Sequence, residues 1–221
     1  MRLDLNIIAS LVKENSKVLD VGCGDGTLLQ FLQNEKHISA RGIEINTNLV
    51  SAALKKGLAV IQGDADNDLK SYPANSCDYV ILSQTLQATK YPDLVLQELQ
   101  RIAQYIIVSV PNFGYFENRL YLSCKGKMPV TKTLSYEWYN TPNIHFCTIK
   151  DFKALATSLG FTIEQQIFVN EALPFSKSFS ADLFANIFAK YGIFLLKRGI
   201  TADTPKSKMA FNLNSKTVIA R

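Results

Sequence analysis

Val18-Leu19-Asp20-Val21-Gly22-Cys23-Gly24-Asp25-Gly26-Thr27 is the stretch that decides how this chain is read. An apolar strand runs into three glycines at alternate positions and then into an amphipathic segment. Glycine permits backbone angles closed to other residues and lets a ligand approach the main chain. At the first strand-to-helix turn of a doubly wound sheet, that is where nucleoside ligands sit. The dinucleotide fingerprint GxGxxG would need glycine at position 27. Thr27 stands there, so the spacing is GxGxG, with an acid, Asp20, two residues upstream.

Outward from this turn the chain alternates short apolar runs with amphipathic ones. Lys17–Val21 reads as the first strand, and Thr27–Gln33 as a helix with Leu28, Leu29, Phe31 and Leu32 on one face. Ala40–Ile45 is a second strand. Asn46 or Thr47 can cap the helix bearing Leu49, Val50, Ala53 and Leu54, and Gly57 can end it. Leu58–Gln62, Tyr79–Leu82 and Tyr105–Val110 are further strands, with a helix opening at Pro92 before the last of them. Thr148–Asp151 resembles a capping box with Asp in place of Glu, opening a helix that Gly160 stops. Phe161–Phe168 and Tyr191–Leu196 complete seven strands; the irregular 170–189 between them shows no clear long helix, which predicts antiparallel pairing. The expected class is α/β: a doubly wound, mostly parallel, seven-stranded sheet with an antiparallel last strand.

Four more residues fall at strand ends. Glu44 ends the second strand, where a carboxylate can accept from both hydroxyls of a ribose. Asp64 follows the third and could accept from an adenine amino group. Ser83 and Gln84 lie past the fourth. Alone, each has a plain structural reading as a turn former or a solvated strand end. Together, on successive strands at one sheet edge, they favour a nucleoside site.

Asp20, Gly22, Gly24, Gly26, Glu44 and Asp64 resemble the cofactor motifs of the class I S-adenosylmethionine-dependent methyltransferases, whose fold is Rossmann-like. The resemblance implies that the glycine loop passes the methionine part of the cofactor, that Glu44 holds the ribose, and that Asp64 meets the adenine. It implies a cofactor-binding set of Asp20, Gly22, Cys23, Gly24, Gly26, Glu44, Ile45, Asp64, Ala65 and Ser83. The strings Val80–Gln87, Val110–Gly114, Gly126–Lys132 and Trp138–Thr148 are similar to the methionine-biosynthesis MetW family over roughly residues 14–198. That resemblance implies a role in methionine biosynthesis beside homoserine O-acyltransferase. Two functions are carried forward: an S-adenosylmethionine-binding subunit acting with that partner, or a methyltransferase with an acceptor of its own.

Residues 111–147 are long, aromatic and irregular, and are expected to cover a site. Asn112, Tyr136, Tyr139, Asn143 and His145 are the polar and aromatic candidates there. His145, the only histidine in this region, is the first guess for a base; its plain alternative is a hydrogen bond to a neighbouring loop. Arg119, Lys125, Lys127 and Lys132 form an acid-free basic run, read as a solvated face. Trp138 is read either as a partner anchor or as core. Ser83-Gln84-Thr85-Leu86 stands where amino-directed DNA methyltransferases carry an Asp/Asn-Pro-Pro-aromatic motif, which disfavours that subclass. No GxSxG elbow and no Walker A loop occurs.

The chain has 221 residues and a formal net charge of +5. Residues 197–221 hold six basic residues against Asp203 alone, leaving 18 basic and 18 acidic residues elsewhere. A neutral body argues against a nucleic-acid binder. The expected division is a methyltransferase-like domain over 1–198 and a basic tail over 199–221. Four scattered cysteines and two histidines give no metal-binding pattern, and no apolar run reaches membrane length. A reduced, soluble, cytoplasmic protein is expected.

Overall fold

The computed structural model describes residues 2–131, 134–170 and 182–199. The strands are β1 Lys17–Val21, β2 Ser39–Glu44, β3 Val60–Gln62, β4 Cys77–Ser83, β5 Ala103–Pro111, β6 Thr162–Val169 and β7 Tyr191–Lys197. The helices are α1 Leu3–Leu11, α2 Thr27–Lys36, α3 Thr47–Lys55, α4 Pro92–Ile102, α5 Phe116–Lys125, α6 Ile149–Ser158 and α7 Asp182–Phe188. The sheet runs β3-β2-β1-β4-β5-β7-β6. Pairings from β3 across to β5 are parallel, and β7 is antiparallel to both of its neighbours. The seven strands and the antiparallel last strand are as the sequence predicts.

Side chains alternate across the strands, and the two cores follow that alternation. Leu19 and Val21 of β1, Val80 and Leu82 of β4, and Ile106, Val108 and Val110 of β5 pack beneath α4 and α6. Val18, Tyr79, Ile81 and Ile107 point the other way, beneath α1 and α2. Burial on both faces explains the unbroken apolar runs of β4 and β5. The same parity puts Asp20, Glu44, Ser83 and Ser109, each at or near the carboxyl end of its strand, on the α1–α2 face. In register, Asp20 sits beside Gly42 and Ile81, and Ser83 beside Ser109.

Local signals act as expected. Asn46 caps α3 by accepting from Asn48 N at 2.9 Å. Thr148 and Asp151 make both bonds of the capping box. Three helices escape sequence reading: α1, α5 and the short α7, which falls in the 170–189 stretch read as irregular. In α1 the buried positions are Asp4, Ile8 and Ala9, a stripe that opens on a charge. In α5 the only buried residue is Asn118, so there is no apolar face to detect. The basic tail beyond Gly199, and Lys132 of the basic run, lie outside the described residues. Among the described residues no helix is long and apolar enough to cross a membrane.

Candidate cofactor site

The sheet order reverses at β1, which lies between β2 and β4; the crevice at such a switch point is where open α/β sheets take ligands. The glycine loop lies over it. Gly22 and Cys23 both donate to Ile43 O, at 2.8 and 3.1 Å, which bends the loop across the end of β2. Gly22 and Gly24 have φ of +75° and +59°, in the left-handed region that glycine alone enters freely. A Cβ on Gly22 would lie 2.4 Å from Thr85 Oγ1, so the loop after β4 is packed against it. A Cβ on Gly24 would meet nothing within 4 Å. Gly24 therefore presents open main chain.

Glu44 is the hub of this turn. Its Oε2 accepts from Gly24 N and its Oε1 from Asn46 N, both at 2.9 Å. Each oxygen keeps a lone pair for a further donor. Asp20 is only 2% exposed, and its Oδ1 has no hydrogen-bond partner. Burial first, and the Glu44 charge second, push its carboxyl up to about 7. Cys23 is held up to about 12, again mainly by burial, so it stays a neutral thiol and no nucleophile. Asp25 is held below the usual carboxylate range by its hydrogen bond from Lys56 at 2.7 Å, which ties the loop to the end of α3.

Asp64 is half-buried, and its turn engages both oxygens: Asp66 N donates to one at 2.9 Å and Asn67 Nδ2 to the other at 2.8 Å. Asp66 in turn accepts from Lys90 N and Tyr91 N, joining the loop after β3 to the loop after β4. Ile45, between these acids, is 65% exposed, a flat apolar surface beside Glu44. Ala65 is half-buried against the core. Ser83 Oγ and Gln87 Oε1 are buried without partners. The structure thus brings Asp20, the glycine loop, Glu44, Ile45, Asp64, Ala65 and Ser83 to one edge.

The cover candidates divide. Asn112 is fully buried and structural: its Nδ2 donates to Asn186 O and Ala189 O, and its Oδ1 accepts from Gly114 N. His145 is exposed, and its Nε2 donates to Lys90 O at 3.3 Å, which is the loop hydrogen bond weighed against a base. The chain at 144–145 is nonetheless pinned to the site, since Ile144 N and His145 N both donate to Gln87 O. Phe113, Tyr136, Trp138 and Phe146 line a groove with Thr141 and Asn143. Trp138 is 70% exposed, so it is not core.

Sequence reading missed Arg2, Asp4 and the tight turn at Gln84. Gln84 has φ +54° and is held by Ser109, whose O and Oγ both accept from Gln84 N. Asp4 is 3% exposed and accepts from Gln84 Nε2 at 3.4 Å. The available signal was spacing: Asp4, Ile8, Ala9 and Val12 fall on one helical face.

The family described as Methionine biosynthesis protein MetW matches residues 2–196. The bifunctional methionine biosynthesis protein MetXA/MetW of Rhodopirellula baltica is 30% identical over 177 residues, covering 76% of this chain. The chain spans 28% of that relative's length. Among solved structures, an S-adenosylmethionine-dependent methyltransferase from Thermotoga maritima superposes with TM-score 0.63 at 19% identity, covering 88% of this chain and 87% of its own. Another from Archaeoglobus fulgidus gives 0.61 at 20% identity, covering 88% and 91%. At these identities the likeness establishes the fold: Rossmann-like, of the class I methyltransferase type.

Proposed function

The chain belongs to the family of the methionine biosynthesis protein MetW, and on that premise we propose that it binds S-adenosylmethionine and acts with homoserine O-acyltransferase. The observation that carries the cofactor reading is the buried Asp20 with an unpartnered oxygen beside a glycine loop whose open main chain is tied to Glu44. A buried acceptor left without a donor is costly, and the cofactor's amino-acid end supplies donors. The free lone pairs of Glu44 suit the ribose hydroxyls, and Ile45 offers the adenine an apolar face. These residues fit the group. Bound there, S-adenosylmethionine would supply an activated methyl on sulfur. The chain's own residues would orient it along the sheet edge and desolvate it.

The partnership is supported by the relative in which a MetXA part and a MetW part share one polypeptide. Calorimetry tests the cofactor reading: S-adenosylmethionine and its demethylated product should both bind. Glu44→Ala should weaken them by ~1–3 kcal/mol through the lost ribose acceptor. Absence of binding at millimolar ligand would sink it. Co-purification with the acyltransferase, and its assay with and without this chain, tests the role.

The aromatic groove favours a second reading, methyl transfer to an acceptor held by this chain. Asn143 and Phe146 line it, and between them Ile144 N and His145 N are fastened to Gln87 O in the loop after β4, at the edge where the cofactor is proposed. Methyl transfer needs alignment and desolvation above all. Labelled cofactor incubated with purified chain and cell extract separates this reading, through transfer of label, from a subunit that only binds.

A further inference from the structure

We infer that Arg2, held in place by the buried Asp4, receives the carboxylate of the amino-acid end of the bound ligand. The inference rests on the cofactor reading above and names residues that it does not use. Asp4 is a charged group buried to 3% exposure on α1, which packs against α2, β5 and β7. Burying a carboxylate is costly unless it is paired. Its pair is Arg2, whose Nε and Nη2 approach the two oxygens at 3.2 and 2.9 Å. The Arg2 side chain itself is 63% exposed. A flexible cation is thus fixed by a buried acid, with its Nη1 turned to neither oxygen.

Its position follows from a chain of contacts. Gly22 meets Thr85, Thr85 follows Gln84, and Gln84 Nε2 donates to the same Asp4 oxygen that Arg2 Nη2 holds. Gln84 is in turn fixed in its left-handed turn by Ser109. The fork therefore lies where the glycine loop meets the loop after β4. Three buried atoms near that junction lack partners: Asp20 Oδ1, Ser83 Oγ and Gln87 Oε1. Gln87 Oε1 can only accept, Asp20 accepts when it is ionised, and the Ser83 hydroxyl can do either. Acceptors of this kind suit an ammonium group, and none of the three is a cation that could pair with a carboxylate. An α-amino acid brings both charges together, so its carboxylate needs a cation at this edge. Arg2 is a cation there, and guanidinium is the side chain best matched to a carboxylate.

Paired titrations of S-adenosylhomocysteine and 5′-methylthioadenosine test this. Both carry the adenosine part, and only the first has the amino-acid end. Arg2→Ala should weaken S-adenosylhomocysteine about 10- to 100-fold and leave methylthioadenosine within about two-fold. Arg2→Lys, which keeps the charge without the fork, should fall between. Asp4→Asn should show the same selectivity in a smaller measure, because it loosens the anchor only. Melting curves on each variant monitor folding; Arg2→Ala leaves the buried Asp4 without its cation and should lower the melting temperature, so the titrations are made where each variant is still folded, and Asp4→Asn is the variant whose side chain needs no cation. Equal losses on both ligands, or none on S-adenosylhomocysteine, would overturn the inference. A wild-type chain that binds neither ligand overturns the cofactor reading and this one with it. Because no acceptor is present, a carboxylate belonging to a second substrate would appear as no loss.

Discussion

Replacing Asp20 by Asn gives the sharpest test of the site's electrostatics. In the unfolded chain this carboxyl releases its proton near 3.8, and in the folded protein near 7. Between those values the folded state holds the extra proton, so stability falls as pH rises. The carboxyl's contribution is fully present below the unfolded value and is lost as pH passes the folded one. Three units correspond to ~4 kcal/mol in total, or up to ~1.4 kcal/mol per pH unit. The cause is burial first and the Glu44 charge second, and asparagine, being neutral, feels neither. The amide brings its own orphaned group, a pH-independent cost of ~1–3 kcal/mol. Urea unfolding of both proteins from about pH 4.5 to about pH 8 isolates the difference made by Asp20 and its coupling to Glu44, since groups away from this site titrate alike. Wild type should lose ~3 kcal/mol relative to Asp20→Asn over that range. Parallel curves would refute the reasoning, because they would mean that Asp20 is solvated or paired in the folded state.

Two other substitutions separate scaffold from surface in the cover region. Asn112→Ala should destabilise by ~2–4 kcal/mol, measured by denaturant unfolding, because it strands Asn186 O, Ala189 O and Gly114 N in the interior. Trp138→Ala should change stability by no more than ~0.5 kcal/mol, since the side chain is largely exposed. It should weaken capture of homoserine O-acyltransferase, and an unchanged pull-down with a normally folded variant would remove Trp138 from the partner surface.

The cover region shows how exposure sorts residues of similar appearance. Asn112 and Asn118 are both polar, both buried, and both spent on main-chain carbonyls. Tyr136, Trp138 and Tyr139 face outward, with Trp138 and Tyr139 edge to face at 5.7 Å. Lys125 lies over Tyr121, 4.5 Å from the ring centre, so part of the basic run is engaged with its own helix.

By itself the sequence determined the seven strands, their mostly parallel order, the glycine loop and the strand-end acids. These depend on local rules: apolar runs buried on both faces, glycine where φ is positive, and caps such as Asn46 and Thr148. Each acts within a few residues, so each leaves a local trace. Only the tertiary structure decided which polar groups share a face. Asp20, Glu44, Ser83 and Ser109 meet because strand parity and register align four separate segments. Asp4 meets Gln84 across 80 positions because α1 packs over that same face. The sequence also could not divide the cover between Asn112, which ties it to the body, and Trp138, which leaves it. A residue's type fixes which hydrogen bonds it can make, but whether water or protein makes them is settled only when the chain closes around it.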